Sequence, residues 1–343
     1  MKKFLILSFL FFLLILVIPK KVKSPNIFLI TLDGVRWQEV FYGIDKDLVD
    51  NTNYVENKSL LIDRYYSPQL FERREKLMPF TWNYIYKNGK LFGDSLNNSN
   101  FSLTNNKIFS YPGYNEILTG NADSTIKSNA KIYNKNVTVL EKLNQTNNYK
   151  NKIAAFASWD VFPYIINDKR SGIPVNAGYM EELNIKTPVV DYINKNQKRT
   201  PVIWENVRLD VYTHNLALEY IKKKRPKLVY IAYGETDDFA HGEKYDFYIN
   251  SLNYADNMIA ELWGYVQSNK FYKDNTYFII TTDHGRGLME DWSGHGTSQA
   301  SWLAILGPNI EKTGLVEGEF FTNQIAETIM QISKKSKTKI PTD

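Results

Sequence analysis

The chain contains no cysteine. That excludes a disulfide framework, a thiolate metal site and a bacterial lipoprotein anchor. Histidine is scarce, with four in 343 residues. An excess of charge is also missing, although the formal net charge of +5 suggests one. Of 42 basic residues, five lysines (Lys2, Lys3, Lys20, Lys21, Lys23) flank an N-terminal apolar run, which leaves 37 basic against 37 acidic residues. The body is therefore neutral, and its charge gives no reason to expect nucleic-acid binding. Tandem repeats and low-complexity tracts are absent too.

One long apolar run exists, Phe4 to Ile18, broken only by Ser8. Fifteen residues of helix span roughly 22 Å, short of the ~30 Å hydrocarbon core of a bilayer. With Lys2 and Lys3 before it, the run resembles a signal peptide. No A-x-A cleavage site follows, so an uncleaved membrane anchor remains the alternative. Residues 1–23 are assigned to this export or anchoring segment, and residues 24–343 to one catalytic domain. An exported, extracytoplasmic or membrane-anchored protein is expected.

What is present is 43% hydrophobic and 14% aromatic composition, enough for a full core. Apolar runs end at residues able to do chemistry. Asn26–Leu32 leads into Asp33-Gly34, Lys152–Ala157 into Ser158-Trp159-Asp160, and Leu228–Tyr233 into Gly234-Glu235. Tyr277–Thr281 leads into Thr282-Asp283-His284-Gly285, and Trp302–Leu306 into Gly307-Pro308. Helical spacing is visible near 244–269, over Tyr212–Ile221 and over Val139–Leu143. The pattern predicts an α/β fold with a mostly parallel central sheet and helices on both faces. Segments near 42–78 and 165–205 are polar and weakly periodic, and are expected to be loop or cap insertions. In such sheets ligands bind beyond the carboxyl ends of the strands, where Asp33, Asp283 and His284 fall. Asp160 is a substrate-pocket candidate on the same ground.

Three of the four histidines lie between positions 241 and 295, each beside glycine, with His284 also directly after an acid. Asp237 and His241 are four apart, so one helical turn aims both at one point. Asp283 and His284 can diverge from a loop to one ion or two. Imidazole with carboxylate suits Zn²⁺, with Mn²⁺ or Fe²⁺ as alternatives. A further segment runs Phe109-Ser110-Tyr111-Pro112-Gly113-Tyr114-Asn115-Glu116-Ile117-Leu118-Thr119-Gly120. Pro112 suits a first helical turn and Gly120 an end. Ser110 at that N-terminus is either a helix cap or a nucleophile facing an anion.

Taken in order, these segments resemble the alkaline phosphatase superfamily, most closely its nucleotide pyrophosphatase/phosphodiesterase-like branch. The resemblance runs from Asn26 to about Ile332. It rests on Leu32-Asp33-Gly34, Ser110-Tyr111-Pro112, Leu118-Thr119-Gly120, Asp237 with His241, Asp283-His284-Gly285 and His295-Gly296. It implies one divalent metal held by Asp33, Ser110, Asp283 and His284, and another by Asp237, His241 and His295. It also implies Ser110 as nucleophile in phosphate-ester hydrolysis through a phosphoryl-serine. Where related diesterases carry asparagine three positions after the nucleophile, this chain has Gly113. Where sulfatases carry arginine in C/S-x-P-x-R, it has Tyr114.

Asn115, Arg36 and Arg286, beside these motifs, are further candidate substrate contacts. The expected substrate is a small-molecule, lipid or glycan phosphate ester. The rival readings are a transferase that passes the phosphoryl group to a lipid or glycan, and a non-catalytic relative.

Overall fold

The structure, a computed structural model, describes residues 24–335 apart from Thr297 and the side chain of Glu290. The apolar run at 4–18 lies outside the described residues. Among the described residues no helix is long and apolar enough to cross a membrane.

The strands are β1 (Asn26–Leu32), β2 (Gly89–Phe92), β3 (Ser99–Ser102), β4 (Ile153–Ala157), β5 (Val175–Ala177), β6 (Leu228–Tyr233), β7 (Thr276–Thr281), β8 (Leu303–Leu306), β9 (Gly314–Leu315) and β10 (Gly318–Phe321). Eight of them form one sheet in the order β5-β4-β6-β1-β7-β8-β2-β9, and β10 pairs with β3 separately. Neighbours from β5 through β7 run parallel. Only β8 runs against its neighbours in the large sheet. All five apolar runs thus become strands of the mostly parallel sheet expected from them.

Strand β1 lies between β6 and β7 and is buried along its whole length. Its side chains alternate between two cores, as strand geometry requires. Phe28, Ile30 and Leu32 join one, while Ile27 and Leu29 join the other. Helices cover both faces. Those that bear on the site are α1 (Ser110–Thr119), α2 (Val139–Asn144), α3 (Pro188–Gln197), α4 (Asp210–Lys224), α5 (Glu235–His241), α6 (Tyr245–Ser268) and α7 (Gln324–Lys334). Val139, Leu140 and Ile329 pack with Leu29 on one face. Leu216, Leu252 and Ile259 pack with Ile30 on the other.

The two weakly periodic segments are not wholly loops. Residues 42–78 hold helices Lys46–Asp50, Lys58–Tyr65 and Leu70–Leu77. Their Leu48, Leu61 and Leu77 enter the core of Phe28 and Ile30. Asp45 and Asn57 cap the first two through their side chains. Residues 165–205 supply β5 and α3, the latter capped by Thr187 with Pro188 opening the helix. The three helices of the first segment, five to eight residues each, are too short to repeat an apolar face, which is why periodicity missed them.

Candidate active site

The site assembles where β1, β6 and β7 end side by side. Asp33 follows β1, α5 follows β6 directly, and Asp283 and His284 follow β7. The turn after β1 is tight. Gly34 adopts φ +61°, and a Cβ there would lie 2.5 Å from Asp237 Oδ1. Only glycine lets the β1 and α5 carboxylates approach this closely. The carboxylate of Asp283 accepts a hydrogen bond from Gly34 N–H at 3.1 Å, tying the ends of β1 and β7 together.

Two groups of side chains could each hold a cation. In one, Asp33, Asp283 and His284 are all buried; in the other, Asp237, His241 and His295 are more accessible. Within each group the candidate ligand atoms lie within 4.8 Å of one another. His284 Nδ1 is 2.9 Å from the Gly285 carbonyl, so its proton belongs on Nδ1. That leaves Nε2 facing Asp33 Oδ1 at 3.5 Å, Asp283 Oδ2 at 3.6 Å and Asp237 Oδ1 at 3.7 Å. In the second group, His241 Nε2 is 3.3 Å from both His295 Nε2 and Asp237 Oδ2.

The residues fit divalent metal. Asp33 Oδ1 and Asp283 Oδ2 are buried with no hydrogen-bond donor among the described residues. An orphaned carboxylate oxygen costs several kcal/mol of order unless a cation or donor meets it. The electrostatics agree. Burial and then the Asp237 charge push Asp33 up; burial and then Asp33 push Asp283 up. Asp238 is pushed up to about 8 by burial and then by Asp237. Burial would lower His284, yet Asp283 and Asp33 raise it to about 9. His295 is pushed down to about 3 by burial and by His284. Burial would also raise Asp237, but Arg286, His241 and His284 together outweigh it and hold that carboxyl well below the usual range. These carboxylates compete for too little positive charge, which a metal ion would supply.

Ser110 is the first residue of α1, and Phe109 occupies the capping position. The hydroxyl is therefore not the helix cap. It is buried, and its Oγ lies 3.5 Å from His284 Nε2. The structure thus brings together Ser110, Asp33, Asp237, His241, Asp283, His284 and His295.

Three expected substrate contacts do not line the cavity beside these residues. Arg36 is fully buried, paired with Glu39 and with Asp45 at 3.2 Å, and bonded to the Gly287 carbonyl. Asn115 is fully buried and bonds Asn121, Asn134 and Asn136, so it fastens the loop after α1. Arg286 is buried against the Gly34, Ser293 and Gly294 carbonyls and the Asp237 carboxylate. It holds ligand residues in place and cannot reach a substrate. In each case sequence adjacency to a motif was misleading, because the neighbouring side chain turns into the fold. The fourth histidine, His214, bonds Tyr233 and Glu261.

A cavity of about 570 Å³ opens over Ser110, Asp33, Asp237, His241 and His295. Asp160 lines it, as do Asn129, Lys131, Trp159, Glu205 and Asn206. Sequence reasoning missed these last five. Trp159 sits beside a strand end already singled out, so that signal existed. For Asn129 and Lys131 there was none, because side-chain bonds from Asn115 place their loop.

Comparisons with known proteins agree with this architecture. A sequence model of the Metalloenzyme superfamily matches residues 209–335, the stretch that holds Asp237, His241, Asp283, His284 and His295. No curated protein matches the chain in sequence. The lipoteichoic acid synthase LtaP from Listeria monocytogenes has a similar structure, with TM-score 0.60 and 14% identity over 93% of this chain and 74% of its own. A protein in the alkaline phosphatase superfamily from Vibrio parahaemolyticus gives TM-score 0.55 and 13% identity, covering 91% of this chain and 66% of its own. A phosphonate monoester hydrolase from Silicibacter pomeroyi gives 0.54 and 12%, covering 93% and 78%. At these identities the likeness is one of fold. Residues 209–335 match the Metalloenzyme superfamily, and the chain that carries them has an alkaline-phosphatase-like fold.

Proposed function

We propose that this chain is a metal-dependent hydrolase of phosphate esters with Ser110 as nucleophile. One observation carries the reading: a buried serine hydroxyl at a helix N-terminus lies beside His284 and opens onto a cavity walled by two acid–histidine groups. Asp33, Ser110, Asp283 and His284 would hold one divalent ion, and Asp237, His241 and His295 the other. The mixture of imidazole and carboxylate favours zinc over manganese. When bound, the ions supply Lewis-acid stabilisation of charge on the hydroxyl and on the phosphoryl oxygens.

The chain's own groups do the rest. The dipole of α1 favours an anion beside Ser110, although Tyr111 N–H is already given to Asn129 Oδ1 and Gly113 N–H to the Phe109 carbonyl. Ser110 Oγ attacks phosphorus, the bond to the leaving-group oxygen breaks, and a phosphoryl-serine forms. Water then cleaves that ester and restores the hydroxyl. Sulfate esters are disfavoured because Tyr114 stands where sulfatases carry a cationic arginine. The motifs around Ser110 and Asp33 support the nucleotide pyrophosphatase/phosphodiesterase-like branch. The lysine-flanked run at 4–18 supports action outside the cytoplasm.

The test uses zinc-loaded full-length protein with monoester, diester and sulfate-ester substrates, with and without an added alcohol acceptor. Phosphate esters should be hydrolysed to the free phosphate product. Ser110→Ala should lose at least about a thousandfold in kcat with metal content retained. Near-normal turnover by that variant would remove Ser110 from its role. Predominant transfer to the alcohol would make the protein a transferase.

A further inference from the structure

The proposed chemistry occupies one wall of the cavity. Another part of its lining has its own construction. Asp160 and Lys131 face each other there, with Lys131 Nζ donating to Asp160 Oδ2 at 2.6 Å. Asp160 is held firmly. Its N–H bonds the Asn206 carbonyl at 2.9 Å, and Trp159 bridges Val207 in the adjacent segment. Gly178, at φ +55°, lets the chain pass so close that a Cβ there would lie 2.6 Å from Asp160 Cβ.

This pair has unused capacity. The Asp160 Oδ1 atom is buried with no donor among the described residues. Oδ2 can accept a second hydrogen bond, and Lys131 has two donors beyond the one it gives Asp160. Trp159, largely buried, lines the cavity beside them. The cavity, at about 570 Å³, is far larger than a phosphoryl group needs and falls in the range of sites for small organic ligands.

We infer that Lys131, Asp160 and Trp159 form a subsite for a neutral, polyhydroxylated leaving group, such as a glycerol or sugar moiety. The inference rests on the phosphate-ester reading above. A hydroxyl can accept from Lys131 and donate to Asp160 at once, so adjacent hydroxyls match the pair. An ammonium group would meet the Lys131 charge. A plain alkyl group would leave the pair's polar atoms without new partners while stripping their water. Trp159 suits the C–H face of a polyol or sugar ring.

The test compares kcat/KM for glycerol 3-phosphate, n-propyl phosphate and ethanolamine phosphate, which share a similar size and a primary alkoxide. Wild-type protein should favour glycerol 3-phosphate over n-propyl phosphate by at least about tenfold, the order expected of hydrogen bonds to charged groups. In Lys131→Met and Asp160→Asn that ratio should fall towards one. Lys131 is half exposed, so its variant tests the idea without threatening the fold. Equal rates for the glycerol and propyl esters in the wild type, or a preference for ethanolamine phosphate, would overturn the subsite. A ratio unchanged in both variants would overturn it as well. Hydrolysis of all three without preference would leave the Ser110 reading intact, whereas hydrolysis neither of these nor of the corresponding diesters would remove that reading first.

Discussion

The Tyr114 hydroxyl donates a 2.7 Å hydrogen bond to Asp33 Oδ2. Both residues are buried, and Tyr114 lies one helical turn after Ser110. The helix that presents the proposed nucleophile thus also steadies a proposed metal ligand. The bond leaves Asp33 Oδ1 directed at His284. In Tyr114→Phe the ring still fills its place against Phe162, but Asp33 loses its donor. Loss of such an outer partner typically costs roughly 10–100-fold in metal affinity or activity. Competition with a chelator should show weaker binding, with kcat/KM reduced in parallel. Unchanged metal affinity would mean that Asp33 needs no such support.

Gly113 has a structural duty that its sequence did not disclose. The absence of asparagine there looked like a difference in substrate preference. In the structure, a Cβ at this position would lie 2.2 Å from the Asp283 carbonyl oxygen. Gly113→Ala should therefore cost about 1–3 kcal/mol by overpacking and displace Asp283. The control is Gly264, within α6, where an added Cβ meets nothing within 4 Å. Gly264→Ala should stabilise by roughly 0.4–1 kcal/mol. Urea unfolding of both variants checks the contrast, and two variants of equal stability would refute it.

Metal should stabilise the fold as well as serve the reaction. Asp33, Asp237 and Asp283 converge on His284. Without added positive charge, their repulsion opposes the folded state. Metal analysis should find close to two ions per chain. At a thousandfold excess over Kd, one bound ion adds about 4 kcal/mol of stability. Chelation should lower Tm by many degrees, and adding zinc back should restore it. A Tm indifferent to chelator would contradict the paired-metal reading.

The extent to which the site was legible in sequence follows from how each residue is placed. Asp33, Asp283 and His284 sit at the ends of buried apolar runs, so the strand pattern located them. Asp237 and His241 were related by helical spacing, and α5 confirms that turn. Ser110 was ambiguous because its role depends on a neighbour 174 residues away. Local sequence favours a cap, and only the assembled sheet separates the two. Arg36 and Arg286 failed for the opposite reason. Their neighbours in sequence point to the site while they point into the core. The Lys131 wall was not legible, since a network of asparagine side chains carries its loop.

Arg286 provides the sharpest separation between holding a ligand and being one. Its guanidinium bonds the Gly34 carbonyl after β1, the Asp237 carboxylate on α5, and the Ser293 and Gly294 carbonyls just before His295. Three segments that bear proposed ligands are thus fixed by one planar fork. Lysine keeps the charge but cannot reproduce that fork. In Arg286→Lys, Asp237 and His295 should lose their fixed spacing, while Asp33, Asp283 and His284 keep theirs through the bonds from Gly34 N–H to Asp283 and from Tyr114 to Asp33. Zinc stoichiometry at micromolar free metal should then fall towards one, and Tm should drop because buried carbonyls lose donors. Equal loss of both ions would show that the two groups bind as a single unit. Retention of both would show that Asp237 and His295 are held well enough without Arg286.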